Sequence, residues 1–219
     1  MRARTEAKAV LFDLDGTFAD TAPDLARAIN AMRAERALAP LPVEATRPVT
    51  SMGARGLLRV GFGITPEHPD YPGLREEFLG FYAQNLCLET RVFPGIPELL
   101  DRIEADGWKW GIVTNKAERF AKPLIDLLGL GERCSCVVGG DTTTRTKPHP
   151  EPLFEACRML AVAPAACTYV GDDRRDVEAG RAAGMKTIAV RYGYLNGGVP
   201  ETWGADAVVD CPQDVARHL

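Results

Sequence analysis

From Val92 to the end of the chain, short apolar runs alternate with helix-patterned stretches, and this alternation constrains the fold more than any other feature of the sequence. "PELLDRIEADG" reads as a helix stopped by Gly107 and "WKWGIVTN" as a strand; helix "KAERFAKPLIDLLGL", strand "CSCVVGG", helix "EPLFEACRML", strand "CTYVGD", helix "DVEAGRAAG" and strand "KTIAV" follow. Strands that recur with a helix between them form a parallel sheet covered on both faces. The run Val10-Leu11-Phe12 has the same texture and belongs to that sheet. The intervening stretch, with "LARAINAMRAERAL" and "LREEFLGFYAQNLC" at helical spacing and Pro40, Pro42 and several glycines between them, is then a helical insertion after the first strand. Thr21-Ala22-Pro23-Asp24 has the spacing of a capping box at its start.

The expected fold class is therefore α/β, a doubly wound parallel sheet formed by residues 1–20 and 89–219, with residues 21–88 as a helical unit inserted after the first strand. A chain of 219 residues is long enough for one such core and a smaller appended unit. A formal charge of −4 argues against a broad basic surface for nucleic acid. No apolar run approaches the roughly 20 residues of a membrane span, and the lead MRARTEAKAV is short and mixed in charge, so a cytoplasmic protein without membrane partners is expected. The six cysteines are scattered without a zinc spacing, which favours core cysteine in a reducing compartment.

Ligands of open parallel sheets bind beyond the carboxyl ends of the strands. The first strand delivers Asp13 and Asp15 there, "GIVTN" delivers Thr114 and Asn115, and "TYVGDD" delivers Asp172 and Asp173; Lys147 lies in the loop "RTKPHPEP" before a helix. Asp13 and Asp15 alternate onto the same side at the strand end, where like charges are tolerated when a cation lies between them or a proton is shared. Taken singly, each group has an ordinary alternative: an Asp-Gly turn, a helix cap, a solvated lysine. Together, at matching strand ends, they form a polar constellation.

The motifs "DLDGT", "VTNK", Lys147 in "TKPHP" and "VGDDRRDVEAGRAAGM" resemble the four signatures of haloacid dehalogenase-superfamily phosphatases, and the resemblance spans nearly the whole chain. "DTAPDL", "YGYL" and "WGAD" resemble more narrowly the bacterial phosphoglycolate phosphatases. The resemblance implies a Rossmann-like core with a helical cap, and a magnesium-dependent phosphomonoester hydrolase working through an aspartyl-phosphate. In it Asp13 is the nucleophile and Asp15 the general acid and base. Mg²⁺ is held by the Asp13 carboxylate, the Asp15 carbonyl and Asp172. Thr114, Asn115 and Lys147 bind the phosphoryl group, and Asp173 and Asp176 orient Asp172 or Lys147. Arg55, between Gly53 and Gly56 in "SMGARG", is a candidate for a substrate carboxylate, with an exposed helix-start arginine as the alternative. Phe18 replaces the family's usual leucine and is expected to alter packing beneath the cap hinge; His149 is expected at the surface.

The partner expected first is a small phosphorylated metabolite, 2-phosphoglycolate, taken by a monomer or homodimer. N-acetylmuramic acid 6-phosphate, another sugar phosphate or a phosphomutase reaction are the alternatives. A phosphorylatable receiver would carry its acid on a later strand with no second acid two residues on. A non-catalytic binding protein would have no use for the complete constellation.

Overall fold

The computed structural model describes residues 8–219; residues 1–7 of the opening lead lie outside the described residues. Strand β1 (Ala9–Phe12) leads into a two-residue strand β2 (Ala19–Asp20). Helices α1 (Ala22–Glu35), α2 (Val43–Thr46), α3 (Ala54–Phe62) and α4 (Tyr71–Gln84) follow, with a 3-10 turn at Arg47–Met52. The chain returns through β3 (Arg91–Val92), then α5 (Ile96–Ala105), β4 (Lys109–Val113), α6 (Glu118–Leu127) and β5 (Val137–Val138). The last part contains α7 (Glu151–Leu160), β6 (Cys167–Gly171), α8 (Arg174–Ala182), β7 (Lys186–Val190), β8 (Ala207–Val209) and α9 (Pro212–Val215).

Six strands form one sheet in the order β5-β4-β1-β6-β7-β8, and every pairing in it is parallel. β1 is flanked on both sides, so all four of its residues are buried and its period-two alternation separates two cores. Val10 and Phe12 pack with Leu100 and Ile103 of α5 and Leu124 of α6 on one face. Ala9 and Leu11 pack with Leu153 and Leu160 of α7 and Ala179 of α8 on the other. Each such side chain contributes about 1.5–3 kcal/mol when fully buried. Phe18 is fully buried and stacks on Trp110 with ring centroids 5.5 Å apart, beside the hinge. From β5 the chain crosses to β6 on the far side of β1, which places the topological switch point, and with it the expected ligand crevice, at the carboxyl end of β1.

The helices of the insertion have an apolar cluster of their own, with Ile29, Met32, Leu57, Leu58, Phe78 and Tyr82 at its centre. The cluster continues onto Ala117 and Phe120, which follow β4, and so seats the insertion over the strand ends. Its two connections are joined to each other: β2 pairs antiparallel with β3, and the Asp24 carboxylate accepts from the backbone of Glu89 and Thr90 and from the Thr90 hydroxyl.

Two local expectations are corrected. Thr21 and Asp24 do not form a capping box: Thr21 has helical backbone angles, and the Tyr194 hydroxyl accepts from the amides of Thr21 and Ala22 instead. That arrangement leaves the Thr21 hydroxyl for Asp15 and the Asp24 carboxylate for the returning connection. The strand read across "CSCVVGG" is only Val137–Val138, because β5 is an edge strand and Gly139 and Gly140 turn away against the backbone of Asn115 and Glu118. The cysteines are free thiols; Cys136, Cys157 and Cys167 are buried in the second core, as expected.

Candidate active site

β4, β1 and β6 are neighbours, so their carboxyl ends bring Thr114, Asp13 and Asp172 together without any long-range design beyond the strand order. Oxygens of Asp13, Asp172 and Asp176 lie within 4.8 Å of one another, and all three residues are buried. Gly16 makes this approach possible. It has φ +88°, and a Cβ there would sit 2.3 Å from Asp172 Oδ2. Asp172 accepts from the Thr17 hydroxyl at 3.0 Å and from the Tyr194 amide at 2.7 Å, one bond to each oxygen.

Lys147 reaches this cluster from the loop before α7. Its ammonium lies 2.8 Å from Asp13 Oδ1, 2.7 Å from Asp176 Oδ1, 2.7 Å from the Tyr169 hydroxyl and 3.0 Å from the Val113 carbonyl. The Asn115 side-chain amide holds the loop in place by bonding both the carbonyl and the amide of Lys147 at 3.0 Å. Asn115, expected as a phosphoryl ligand, thus commits its amide to positioning Lys147. Asp176 bonds Lys147 through Oδ1 and closes a capping box with Asp173 through Oδ2. Of the two partners expected for it, Asp172 and Lys147, Asp176 bonds Lys147.

Burial dominates the electrostatics. Desolvation pushes the Asp13 carboxyl up to about 6, against the pull of Lys147, with the charges of Asp176 and Asp15 adding to the rise. Burial and then the neighbouring Asp13 and Asp176 charges raise Asp172 well above the carboxylate range. Burial works against the charge of Lys147, but Asp13 and Asp176 outweigh it and hold the ammonium above its usual range. Three buried carboxyls share one lysine, so the cluster has a deficit of positive charge. Its donors are hard oxygens and fit a small divalent cation such as Mg²⁺. Beside Asp13, Asp172 is a better candidate ligand than Asp176, since Asp172 accepts only from neutral donors, the Thr17 hydroxyl and the Tyr194 amide, whereas Asp176 is already bound by the Lys147 ammonium.

Asp15 turns away from this cluster. Its Oδ1 accepts from the Thr21 hydroxyl at 2.5 Å and from the Lys116 ammonium at 2.8 Å, and its Oδ2 from Lys116 at 3.0 Å. The two acids of "DLD" therefore answer to different lysines. Lys116 has no role in the sequence reading, and its place in "VTNK" directly after the strand-end pair is the available signal for one. Tyr169 and Arg175 carry no local signal, because their bonds join residues far apart in the chain. Arg175 pairs with Asp173 at 2.8 Å and donates to the Ser51 carbonyl of the insertion at 2.9 Å.

A cavity of about 460 Å³ opens between the strand ends and the insertion. Asp13, Asp15, Thr114 and Lys147 line its floor, and Phe78, Leu79 and Tyr82 its roof. Arg55 is exposed and also lines it, so the insertion brings this residue to the same cavity as the acids. His149 is half-buried and bonded to its own loop, where the Glu151 amide donates to Nδ1.

A parallel sheet with paired acids at its switch point and a helical cover defines a class of phosphoryl-transfer and related hydrolases, and the chain belongs to the haloacid dehalogenase-like hydrolases, whose family model matches residues 10–190. Within that family it is a phosphomonoester hydrolase. It is 47% identical over 217 residues to the N-acetylmuramic acid 6-phosphate phosphatase of Pseudomonas aeruginosa, covering 99% of this chain and 96% of that protein. It is 44% identical over 209 residues to the phosphoglycolate phosphatase of Xanthomonas campestris, covering 94% and 93%. Among solved structures, a predicted phosphoglycolate phosphatase from Haemophilus somnus superposes with a TM-score of 0.85 at 26% identity, covering 99% of each chain. No helix among the described residues is long and apolar enough to cross a membrane.

Proposed function

We propose that the chain hydrolyses a phosphorylated sugar acid of the N-acetylmuramic acid 6-phosphate type, through a phosphorylated Asp13 and with Mg²⁺ as cofactor. The observation that carries the substrate is the cavity. At about 460 Å³ it lies within the roughly 300–1,000 Å³ range of sites that enclose a drug-sized ligand, and aromatic and aliphatic side chains roof it. A two-carbon acid leaves most of that volume empty, whereas an N-acylated sugar ring offers apolar faces to Phe78 and Leu79 and a carboxylate to Arg55. The 47% identity to the Pseudomonas enzyme supports the same choice. Phosphoglycolate, placed first by the sequence, is the second reading and is supported by the relatives that carry that name.

The residues divide the reaction between them. Lys147 holds Asp13 Oδ1 and so fixes the carboxylate that attacks phosphorus. Asp15 gives a proton to the departing sugar oxygen. It then takes one from the water that attacks the phosphorus of the acyl-phosphate, releasing inorganic phosphate and free Asp13. The Thr114 hydroxyl accepts from the Lys116 amide at 3.2 Å and keeps its own proton for a phosphoryl oxygen. The carboxylates of Asp13 and Asp172 and the carbonyl of Asp15 would hold Mg²⁺, which would supply positive charge against the negative charge developing on the phosphoryl group. The insertion acts as a cap that excludes water and sorts leaving groups.

Phosphate release is measured with Mg²⁺ on N-acetylmuramic acid 6-phosphate, N-acetylglucosamine 6-phosphate, 2-phosphoglycolate and p-nitrophenyl phosphate. The first is expected to have the highest kcat/KM, at least about tenfold above phosphoglycolate. The reverse order establishes the second reading. No release from any of them overturns both.

A further inference from the structure

We infer that Lys116, covered by Tyr82 of the insertion, is a positioning residue that ties closure of the insertion to the placement of Asp15. The inference rests on the reading of Asp15 as the group that protonates the leaving oxygen. Lys116 sits directly after the strand-end pair Thr114-Asn115, and its side chain is only 8% exposed. It is close to both oxygens of Asp15, at 2.8 and 3.0 Å. Over the ammonium lies the ring of Tyr82, 4.9 Å to its centroid; Tyr82 comes from α4 and is itself 1% exposed. Phe120, one turn beyond Lys116, packs against the same tyrosine ring at 5.5 Å. A core lysine is therefore enclosed between a core carboxylate and a ring carried by the insertion.

The energetics make the enclosure a coupling device. A lysine sealed from water is stable only with an opposite charge in good geometry, so with Tyr82 in place the Lys116–Asp15 pair is strongly held. The ring face adds a cation–π contact that exists only while the insertion is seated. When the insertion lifts, Lys116 meets water, and a solvated pair constrains its partner weakly. The pair also distinguishes the two oxygens of Asp15. Oδ1 is bonded by both Thr21 and Lys116, and Oδ2 by Lys116 alone, which leaves Oδ2 as the oxygen able to carry and pass the proton. Placement of that oxygen thus becomes conditional on a closed site, where protonating a leaving group is productive and hydrolysis by stray water is not.

Leaving-group dependence gives a readout that a merely structural role does not move. p-Nitrophenolate departs without a proton, whereas a sugar alkoxide does not. Lys116→Met, Lys116→Arg, Tyr82→Leu and Asp15→Asn are compared on p-nitrophenyl phosphate and on whichever alkyl phosphate the wild type turns over fastest. Lys116→Met is expected to lower kcat/KM, which ends at departure of the leaving group and so excludes the later hydrolysis in which Asp15 acts as base on every substrate, about 30-fold on the alkyl phosphate, with a loss at least about ten times smaller on p-nitrophenyl phosphate. Lys116→Arg restores most of the alkyl-phosphate rate, and Tyr82→Leu repeats the pattern at smaller size. Equal losses of kcat/KM on both substrates for Lys116→Met, or no loss on either, overturn the inference. Asp15→Asn separates the two levels. If it too shows no leaving-group dependence, the acid role of Asp15 fails and the coupling falls with it. If it shows the dependence and Lys116→Met does not, only the coupling fails.

Discussion

The strand ends and the insertion that covers them solve opposite problems. At the strand ends nearly every polar atom is committed: Lys147 has four oxygen neighbours, and both oxygens of Asp172 and of Asp176 accept hydrogen bonds. On the roof the picture reverses, with apolar rings, an exposed Arg55, and buried hydroxyls of Ser51 and Tyr82 that have no hydrogen-bond partner. A committed network holds reacting groups in one geometry, and uncommitted groups are free to meet a substrate. On the function proposed above, the sheet carries the chemistry and the insertion the selectivity, so mutations in the two regions should differ in kind: floor changes should act on every substrate, roof changes on some.

The largest test is on the floor. Asp13→Asn is expected to lower kcat by about 10³-fold or more on all phosphomonoesters, as loss of a nucleophile does, while the circular dichroism spectrum is unchanged. The fold should survive because burial already disfavours the charge of Asp13, and Lys147 keeps Asp176 and Tyr169 as partners. Substrate-selective loss in this variant would break the division of labour at once.

Metal removal comes next. EDTA should abolish turnover and Mg²⁺ restore it, with Ca²⁺ a poor substitute because its looser shell misplaces the nucleophile. The acids give this a pH signature. Asp13 ionises at about 6 in the fold against 3.8 ordinarily, and Asp172 is shifted the same way. Below about 6 a cation must displace the Asp13 proton, so Mg²⁺ affinity, followed by calorimetry, should rise with pH through about 6. For stability in chelator the sign is that of a raised acid: the folded state keeps the proton better than the unfolded chain. The contribution of Asp13 to stability should therefore fall as pH rises from about 4 to about 6, read as the difference in melting temperature between wild type and Asp13→Asn, and Mg²⁺ should reverse the fall. A pH-independent Mg²⁺ affinity would count against Asp13 and Asp172 as the ligands.

How much of this was legible in the sequence follows from the same contrast. Asp13, Thr114 and Asp172 could be read from local pattern because any parallel sheet brings adjacent strand ends together, whatever the side chains between them do. The alternation after Val92 gave the sheet for the same reason. The capping box at Thr21 was misread because the competitor, the Tyr194 hydroxyl, comes from more than 170 residues away. The β2–β3 ladder is two residues long and has no periodicity to detect. Tyr169, Tyr82 and Arg175 acquire meaning only through partners distant in the chain, and a lone tyrosine or arginine gives no sign of them; Lys116 is marked only by its place directly after the strand-end pair.

A middle-sized effect belongs to the roof. Arg55→Ala is expected to lower kcat/KM for a carboxylate-bearing substrate by roughly 1.5–3 kcal/mol, the worth of a charge-assisted hydrogen bond, with a much smaller change on p-nitrophenyl phosphate. Equal losses on both would move Arg55 from recognition to support of the floor, and no loss on either would leave it a surface residue.

The smallest effect lies at the seam. Arg175 clamps Asp173 through Nε and Nη2 and extends Nη2 to the Ser51 carbonyl, so a single guanidinium joins α8 of the sheet layer to the insertion. Asp173 is held below the usual carboxylate range: burial works against its charge, but the bonds from Arg175 prevail. Lysine at this position keeps the charge but cannot form the fork and still reach Ser51. The side chain of Arg175 is 29% exposed, so water replaces part of what is lost, and the expected cost is about 0.5–1.5 kcal/mol. Because the lost bond favours a seated insertion and touches no reacting atom, Arg175→Lys should appear as a KM raised severalfold for large substrates. kcat and the melting temperature should stay close to wild type, and KM for p-nitrophenyl phosphate should move less. A fall in kcat on every substrate would instead make Arg175 part of the floor, and the seam between the two regions would have to be drawn on the other side of α8.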